Sequence, residues 1–443
     1  MKKWFALCFT ALLTILYCLS AAVPAKAALD TDEIDAIIDS IPEEWPDAPE
    51  IGAEAAILID ADSGEILYGK NATKKMYPAS TTKLMTALLT LENASLEDVV
   101  TFSPNAVAIP SGSSHIGMRR NEKMKLKECL YGLLLPSANE VANALAEQCA
   151  PSIRSFTKMM NERVFQLGGV NTTFVNANGL HSPGHYTCAY DLSLIMKACV
   201  ENSTFVEIAS TPSYVHHKDD LLNKDIPMTN THMMIRPSSE YYNEYVVCGK
   251  TGHTDESGYN LVTYAEKNGT KLIVVVMGCE NGNQYVSTQS LLDYGFNYFH
   301  QVLPAELDTS LNMENMFTAS PLRIPTPSGE LLTLNSSDTI LLPDTLTFDM
   351  LEKTVEDTDD GKKVTYAYKG YPLGGVSLSY VTEGNEHAFL SGRSAEPEDG
   401  TLPDNLNTID GWLLVTLGAT ALALVLFLIG LKKQYMPASR KVF

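Results

Sequence analysis

The chain has 443 residues and a formal charge of −21, from 53 acidic and 32 basic side chains. Its length leaves room for two or three domains with a substantial core. The charge argues against nucleic acid as a partner, because phosphate contacts need a basic face.

In chain order, Lys2 and Lys3 precede the uncharged, mostly apolar run Trp4 to Val23, and Ala25-Lys26-Ala27 follows with small residues. This is the pattern of a signal peptide, residues 1–27, cleaved after Ala27. Residues 28–50 hold nine acidic residues and no basic one. There Ile34, Ile37, Ile38 and Ile41 repeat at helical spacing, so a short amphipathic helix is expected before Pro42.

The segment 51–303 has an α/β texture. Ala55 to Ile59 and Glu65 to Tyr68 are expected as strands around the turn Asp62-Ser63-Gly64. Helices are expected from Ser80 to about Leu91, from Glu128 to Ala146 with a break at Pro136, from Pro151 to Leu167 and from Gln289 to Phe299. Tyr245 to Gly249 is read as a strand. Asn268-Gly269 between Tyr259–Tyr264 and Lys271–Met277 is a hairpin signal.

From 304 to 393 the pattern turns β-rich. Val364, Tyr366 and Tyr368 alternate, as do Val376, Leu378 and Tyr380, which predicts a small all-β domain. A polar, acidic linker spans 394–409. Within 410–431, Trp412 to Leu431 lacks any charge. As a helix it would cover roughly 30 Å, the thickness of a hydrocarbon core. Lys432, Lys433, Arg440 and Lys441 lie in the tail 432–443, so the positive-inside rule leaves the tail in the cytoplasm and the preceding chain outside the cell membrane. Eight cysteines become six without Cys8 and Cys18. The six form no CxxC pair and read as mostly buried thiols.

Three motifs carry chemistry. In Ser80-Thr81-Thr82-Lys83, positions i and i+3 share a helix face, so the Lys83 amine can reach the Ser80 hydroxyl. A serine needs a base to become a nucleophile, and a lysine becomes one when burial or a nearby cation lowers its pKa. Leu84, Met85, Leu88 and Leu89 would bury this helix. Its N-terminus would aim free N–H groups at developing negative charge. Ser155-Phe156-Thr157-Lys158 has the same spacing and reads as a surface helix. Ser137-Ala138-Asn139 falls at a break between helices, where a hydroxyl and an amide can converge. Ser103-Pro104-Asn105 and Ser310-Leu311-Asn312 share that pattern without the context.

Lys250-Thr251-Gly252 follows a strand and offers a cation and a hydroxyl to a carboxylate. Gly252 permits close backbone approach at the strand edge. A phosphate loop is excluded, because Glu244 stands where its first glycine belongs and a strand follows. Metal chemistry is not expected. His181 and His185 are separated by Pro183 and Gly184, no HExxH occurs, and His216-His217 reads as a polar loop.

The order SxxK, SxN, KTG resembles the penicillin-recognising serine transferases, which include penicillin-binding proteins and class A β-lactamases. Pro78-Ala79-Ser80, Leu134-Leu135-Pro136-Ser137-Ala138-Asn139, Asn178-Gly179-Leu180, Gly184-His185-Tyr186, Ala189-Tyr190-Asp191, Lys250-Thr251-Gly252-His253-Thr254, Gly258-Tyr259-Asn260 and Leu291-Leu292-Asp293-Tyr294-Gly295-Phe296 look like the low-molecular-mass D-alanyl-D-alanine carboxypeptidases. The resemblance covers about 51–300. It implies a β-lactamase/transpeptidase-like domain, an antiparallel sheet flanked by helices, joined to the small all-β domain and one C-terminal transmembrane helix.

It also implies roles. Ser80 would be acylated by the peptide carbonyl between two terminal D-alanines, and Lys83 would take its proton. Ser137 would relay a proton to the leaving D-alanine, and Asn139 would position the substrate amide and Lys83. Lys250 and Thr251 would hold the terminal carboxylate beside Gly252. The N–H groups of Ser80 and His253 would form the oxyanion hole. Water would complete hydrolysis without a cofactor. Peptidoglycan stem peptides would be the substrates and β-lactams covalent inhibitors. Two positions depart from the family pattern. Ser-Ala-Asn replaces Ser-Gly-Asn, and Gln284 stands where family members often carry a carboxylate-binding arginine. A β-lactamase, an endopeptidase or transpeptidase of the same fold, and a catalytically silent wall-binding scaffold are the competing readings.

Overall fold

The computed structural model describes residues 29–308, 332–358 and 361–380, all within one compact unit. Helix α1 (Thr31–Asp39) starts at a capping box, in which Asp30 and Glu33 satisfy each other's backbone N–H groups. It buries Ile34 and sets Ile38 against Gly69, where an added Cβ would come within 2.8 Å.

The central sheet comprises β1 (Ala55–Asp60), β2 (Ile66–Lys70), β7 (Val246–Thr254), β8 (Gly258–Lys267) and β9 (Thr270–Cys279), antiparallel in the order β2-β1-β9-β8-β7. Side chains alternate across it. Ile57, Ile59, Ile273, Val275 and Met277 face one core, and Leu58, Leu272, Val274 and Val276 face the other. The first core takes α2 (Lys83–Asn93), α3 (Leu126–Leu134), α4 (Asn139–Cys149), α5 (Ile153–Gln166), α6 (Ala189–Val200) and α7 (Ser203–Ala209). The second takes Leu291 and Leu292 of α8 (Asn283–Tyr298), with Trp45 and Tyr371. Hence strands buried on both faces read as continuous apolar runs. The β8–β9 turn is the expected one, with Asn268 and Gly269 both at positive φ (53° and 89°).

Two small hairpins lie outside this sheet: β3 (Val99–Thr101) with β4 (Lys123–Lys125), and β5 (Ser213–His216) with β6 (Ile226–Thr229). Near the C-terminal end of the described chain, β10 (Phe299–Val302) pairs with β12 (Ile340–Pro343) after the short helix α9 (Pro304–Leu307). A four-stranded antiparallel sheet follows in the order β11 (Leu332–Leu334), β15 (Tyr371–Tyr380), β14 (Gly361–Tyr368), β13 (Glu352–Thr358). Its alternating residues Val364, Tyr366, Val376 and Leu378 share a third core. Tyr371 bonds the Ile66 carbonyl and so ties this sheet to β2.

All six cysteines from Cys129 to Cys279 are free thiols, five of them buried. Among the described residues no helix is long and apolar enough to cross a membrane. The segments expected as signal peptide, linker and membrane helix, residues 1–27, 394–409 and 410–431, lie outside the described residues.

Candidate active site

Pro78 leads into a 3₁₀ turn, Ala79–Thr82, that continues into α2. Ser80 therefore sits in a 3₁₀ turn three residues before the α-helix begins at Lys83, whereas the sequence placed the helix start at about Ser80. The turn is clamped from three sides. Asn260 of β8 donates to the Tyr77 and Pro78 carbonyls at 2.9 and 3.1 Å. A Cβ on Gly252 would lie 2.8 Å from the Pro78 oxygen and 3.1 Å from the Ser80 nitrogen. A Cβ on Gly179 would overlap the Ala79 carbonyl oxygen at 1.9 Å. Ala79 itself is held at φ 48°. Such strain persists where the surroundings over-determine it.

Lys83 is fully buried, and its Nζ lies 2.9 Å from Ser80 Oγ. It also contacts Asn139 Oδ1 at 2.8 Å and the Asn178 carbonyl. Burial first, then the Lys250 charge, hold this amine well below the ordinary lysine range, and Glu140 opposes them. A neutral amine has two N–H donors and one lone pair. The Asn139 and Asn178 oxygens take the two donors, which turns the lone pair to the Ser80 hydroxyl.

Ser137 adopts φ 65° in the break between α3 and α4, with its Oγ buried and unpartnered among the described residues. Asn139 N–H donates to the Ser114 carbonyl at 2.9 Å. Glu140 Oε1 takes the N–H groups of Ile116 and Gly117 at 2.8 and 3.1 Å. The segment 114–118 is thus tied to the Ser137–Asn139 corner.

Strand β7 is the sheet edge. Its Lys250 is buried, with Nζ 3.1 Å from the Thr251 carbonyl, and burial lowers its pKa to about 7. Thr251 Oγ1 lies 2.7 Å from Thr231 Oγ1. His253 is exposed, its ring stacked on Tyr259 at 4.0 Å. Gln284 is 4% exposed, and its Oε1 lacks a partner among the described residues.

The structure gives two histidines contacts at the site that the sequence had not assigned them. His185 accepts the Val175 N–H on Nδ1 at 3.0 Å, so its Nε2–H faces Thr82 Oγ1 at 2.8 Å. Burial, Lys83 and His181 lower its pKa to about 4, so it stays neutral. His232, buried behind Gly249, bonds Thr263 Oγ1 at 2.9 Å. Burial and Lys250 lower its pKa to about 3.

The look-alike motifs lie elsewhere. Lys158 is 77% exposed and pairs with Glu162, and Ser103 Oγ caps the Asn105 and Ala106 N–H groups. Ser310 lies outside the described residues. His216, expected in a polar loop, instead ends β5, buried 3.0 Å from Glu128 Oε2. Polar neighbours in sequence hid a strand whose one inward residue is a paired histidine. No group of three metal-binding side chains occurs among the described residues.

The sequence profile of the D-alanyl-D-alanine carboxypeptidase family matches residues 43–281. D-alanyl-D-alanine carboxypeptidase DacF of Bacillus subtilis is 29% identical over 317 residues, which cover 70% of this chain and 75% of the relative. DacC of Escherichia coli is 30% identical over 321 residues, covering 68% and 78% respectively. The solved D-alanyl-D-alanine carboxypeptidase of Mycobacterium tuberculosis superposes with a TM-score of 0.53 at 26% identity, covering 58% of this chain and 95% of that one. With more than half of its length matched, the chain belongs to the D-alanyl-D-alanine carboxypeptidase family of serine peptidases.

Proposed function

We propose that this enzyme removes the terminal D-alanine from peptidoglycan stem peptides through an acyl-enzyme on Ser80. The observation that carries the proposal is the Lys83 amine, buried, with its pKa held well below the ordinary lysine range, 2.9 Å from the Ser80 hydroxyl and bonded to two carbonyl oxygens.

Ser80 Oγ attacks the carbonyl carbon of the penultimate D-alanine, and its proton passes to Lys83. The N–H groups of Ser80 and His253 receive the oxyanion. The C–N bond breaks, and the leaving amine takes a proton relayed by Ser137. Water then hydrolyses the ester and regenerates Ser80. Lys250 and Thr251 hold the terminal carboxylate, while Asn139 holds both Lys83 and the substrate amide. Gln284 adds no charge to that grip. β-Lactams would acylate the same serine. Export by the signal peptide and tethering through Trp412–Leu431 would leave the enzyme on the outer face of the cell membrane, its substrate's side.

The test is incubation of the ectodomain, about residues 28–400, with a pentapeptide ending in D-Ala-D-Ala and, separately, with a fluorescent penicillin. Release of D-alanine and a persistent covalent label are expected. Fast turnover of the penicillin without D-alanine release would favour a β-lactamase, and neither reaction would favour a silent scaffold.

A further inference from the structure

Outside the three motifs, one loop reaches the reacting groups through hydrogen bonds. The Ser114 carbonyl accepts the Asn139 N–H at 2.9 Å, and Asn139 Oδ1 in turn holds the Lys83 amine at 2.8 Å. The placement of segment 114–118 is thus passed to the base in two bonds. Yet Ser114, His115 and Gly117 are exposed, and only Met118 of this segment is buried. Packing alone fixes such a segment poorly.

Two charged side chains from different elements hold it, and they meet on one residue. Glu140 of α4 is 1% exposed, and its Oε1 takes the N–H groups of Ile116, Gly117 and Met118 at 2.8, 3.1 and 3.4 Å. Gly117 sits at φ 76°, so these successive N–H groups converge as a nest, the concave arrangement that suits an anion. The carbonyl of the same glycine accepts from Lys224 Nζ at 2.8 Å, and Lys224 also meets Glu122 Oε2 at 2.7 Å. Lys224 comes from the loop between β5 and β6. That hairpin is anchored on α3, the helix that leads to Ser137. Glu128 of α3 accepts the Tyr214 hydroxyl at 2.7 Å and lies 3.0 Å from His216 Nδ1, and Tyr214 stacks on Tyr131 at 3.9 Å. Within the loop, Asp219 Oδ1 takes the N–H groups of Leu221 and Leu222 at 2.9 and 2.7 Å, and Leu222 is buried. Lys224 is therefore delivered from a fixed support.

We propose that Lys224 and Glu140 are positioning residues for the reaction: they clasp Gly117 by its carbonyl and its N–H, and so hold Ser114 where it sets Asn139 and, through it, Lys83 against Ser80. The proposal rests on the carboxypeptidase reading above and adds to it two residues outside the motifs. The terminal carboxylate is held from a different element, β7, so a loosened clasp slows the chemistry and leaves most of the substrate binding in place.

The test measures D-alanine release from a peptide ending in D-Ala-D-Ala, on variants shown to be folded by circular dichroism. Lys224→Met should lower kcat about tenfold, a fraction of the ~10² that a 1 Å misplacement costs, while KM stays within about twofold. Lys224→Arg, which keeps the charge and the donors, should retain about a third or more of the wild-type kcat. Glu140→Ala should lower kcat further. Because both residues act on Gly117, adding Lys224→Met to Glu140→Ala should cost less than about twofold more. Lys224 is 31% exposed, so its arm of the test does not depend on the buried Glu140. A kcat of Lys224→Met within twofold of wild type, a fall that Lys224→Arg does not reverse, or a full tenfold loss repeated in the double variant would overturn the clasp. Wild-type protein that neither releases D-alanine nor takes the penicillin label would overturn the enzymatic reading itself.

Discussion

Replacing Gly179 by alanine tests how tightly the nucleophile turn is held. The new Cβ would lie 1.9 Å from the Ala79 oxygen, 2.4 Å from the Ala79 carbonyl carbon and 3.0 Å from the Ser80 nitrogen. Restoring ordinary contact requires the two backbones to part by about 1.5 Å. Gly179 also has φ +86°, which costs a residue with a side chain about 1–2 kcal/mol. Overpacking adds about 1–3 kcal/mol. The sum, about 2–5 kcal/mol, lowers the melting temperature yet stays below the ~5–15 kcal/mol of a typical domain. The larger effect falls on chemistry, because the displaced atoms include the Ser80 N–H. A misplacement of about 1 Å costs on the order of 10² in rate. The assay is the second-order rate of acylation by a fluorescent penicillin, on protein shown to be folded by circular dichroism. Gly184→Ala is the control, since its nearest atom is Val175 Cγ1 at 3.7 Å. Acylation of folded Gly179→Ala within twofold of wild type would refute the argument.

Burial leaves Lys250 with a pKa of about 7, so its cation is present below that pH and lost above it. The KM for a peptide carboxylate should therefore rise through the alkaline range. Lys250→Arg, which stays charged, should flatten that rise even at lower overall activity. A KM independent of pH between 6 and 9 in the wild-type enzyme contradicts this. Glu65 is buried with neither carboxylate oxygen partnered among the described residues, and burial, then Asp60, raise its pKa well above 4.5. A raised folded pKa means that the stability of the neutral acid is fully present below 4.5 and lost as pH rises through the folded value. The melting temperature of Glu65→Gln should thus exceed that of wild type by a margin that widens with pH. A constant margin from pH 4 to pH 9 contradicts this.

Periodicity made the SxxK helix, the Asn268-Gly269 hairpin and the alternating strands of the C-terminal sheet legible, because each has one buried face or a turn of fixed chemistry. It was mute for α6, whose residues from Ala189 to Cys199 are mostly buried, since a helix covered all round has no polar stripe. The motifs located Ser80, Lys83, Ser137, Asn139 and Lys250. They could not reveal that Lys83 is oriented by the Asn178 carbonyl, a backbone atom present at every position. Glu140 stands in the first turn of α4 and belongs to none of the motifs. Its work of tying 116–118 to the site depends on a loop that only tertiary contact brings near. His185 stood in a quoted motif, but its fixed tautomer follows from the Val175 N–H across the loop.

The central claim is that Ser80 alone forms the covalent intermediate. Penicillin-treated ectodomain, digested and mapped by mass spectrometry, should carry one adduct, on the peptide containing Ser80, and Ser80→Ala should carry none. Losing the nucleophile of a serine hydrolase costs on the order of 10⁶ in kcat, so D-alanine release should fall to background. An adduct on Ser137 or Ser155, or a label that persists in Ser80→Ala, would contradict the account.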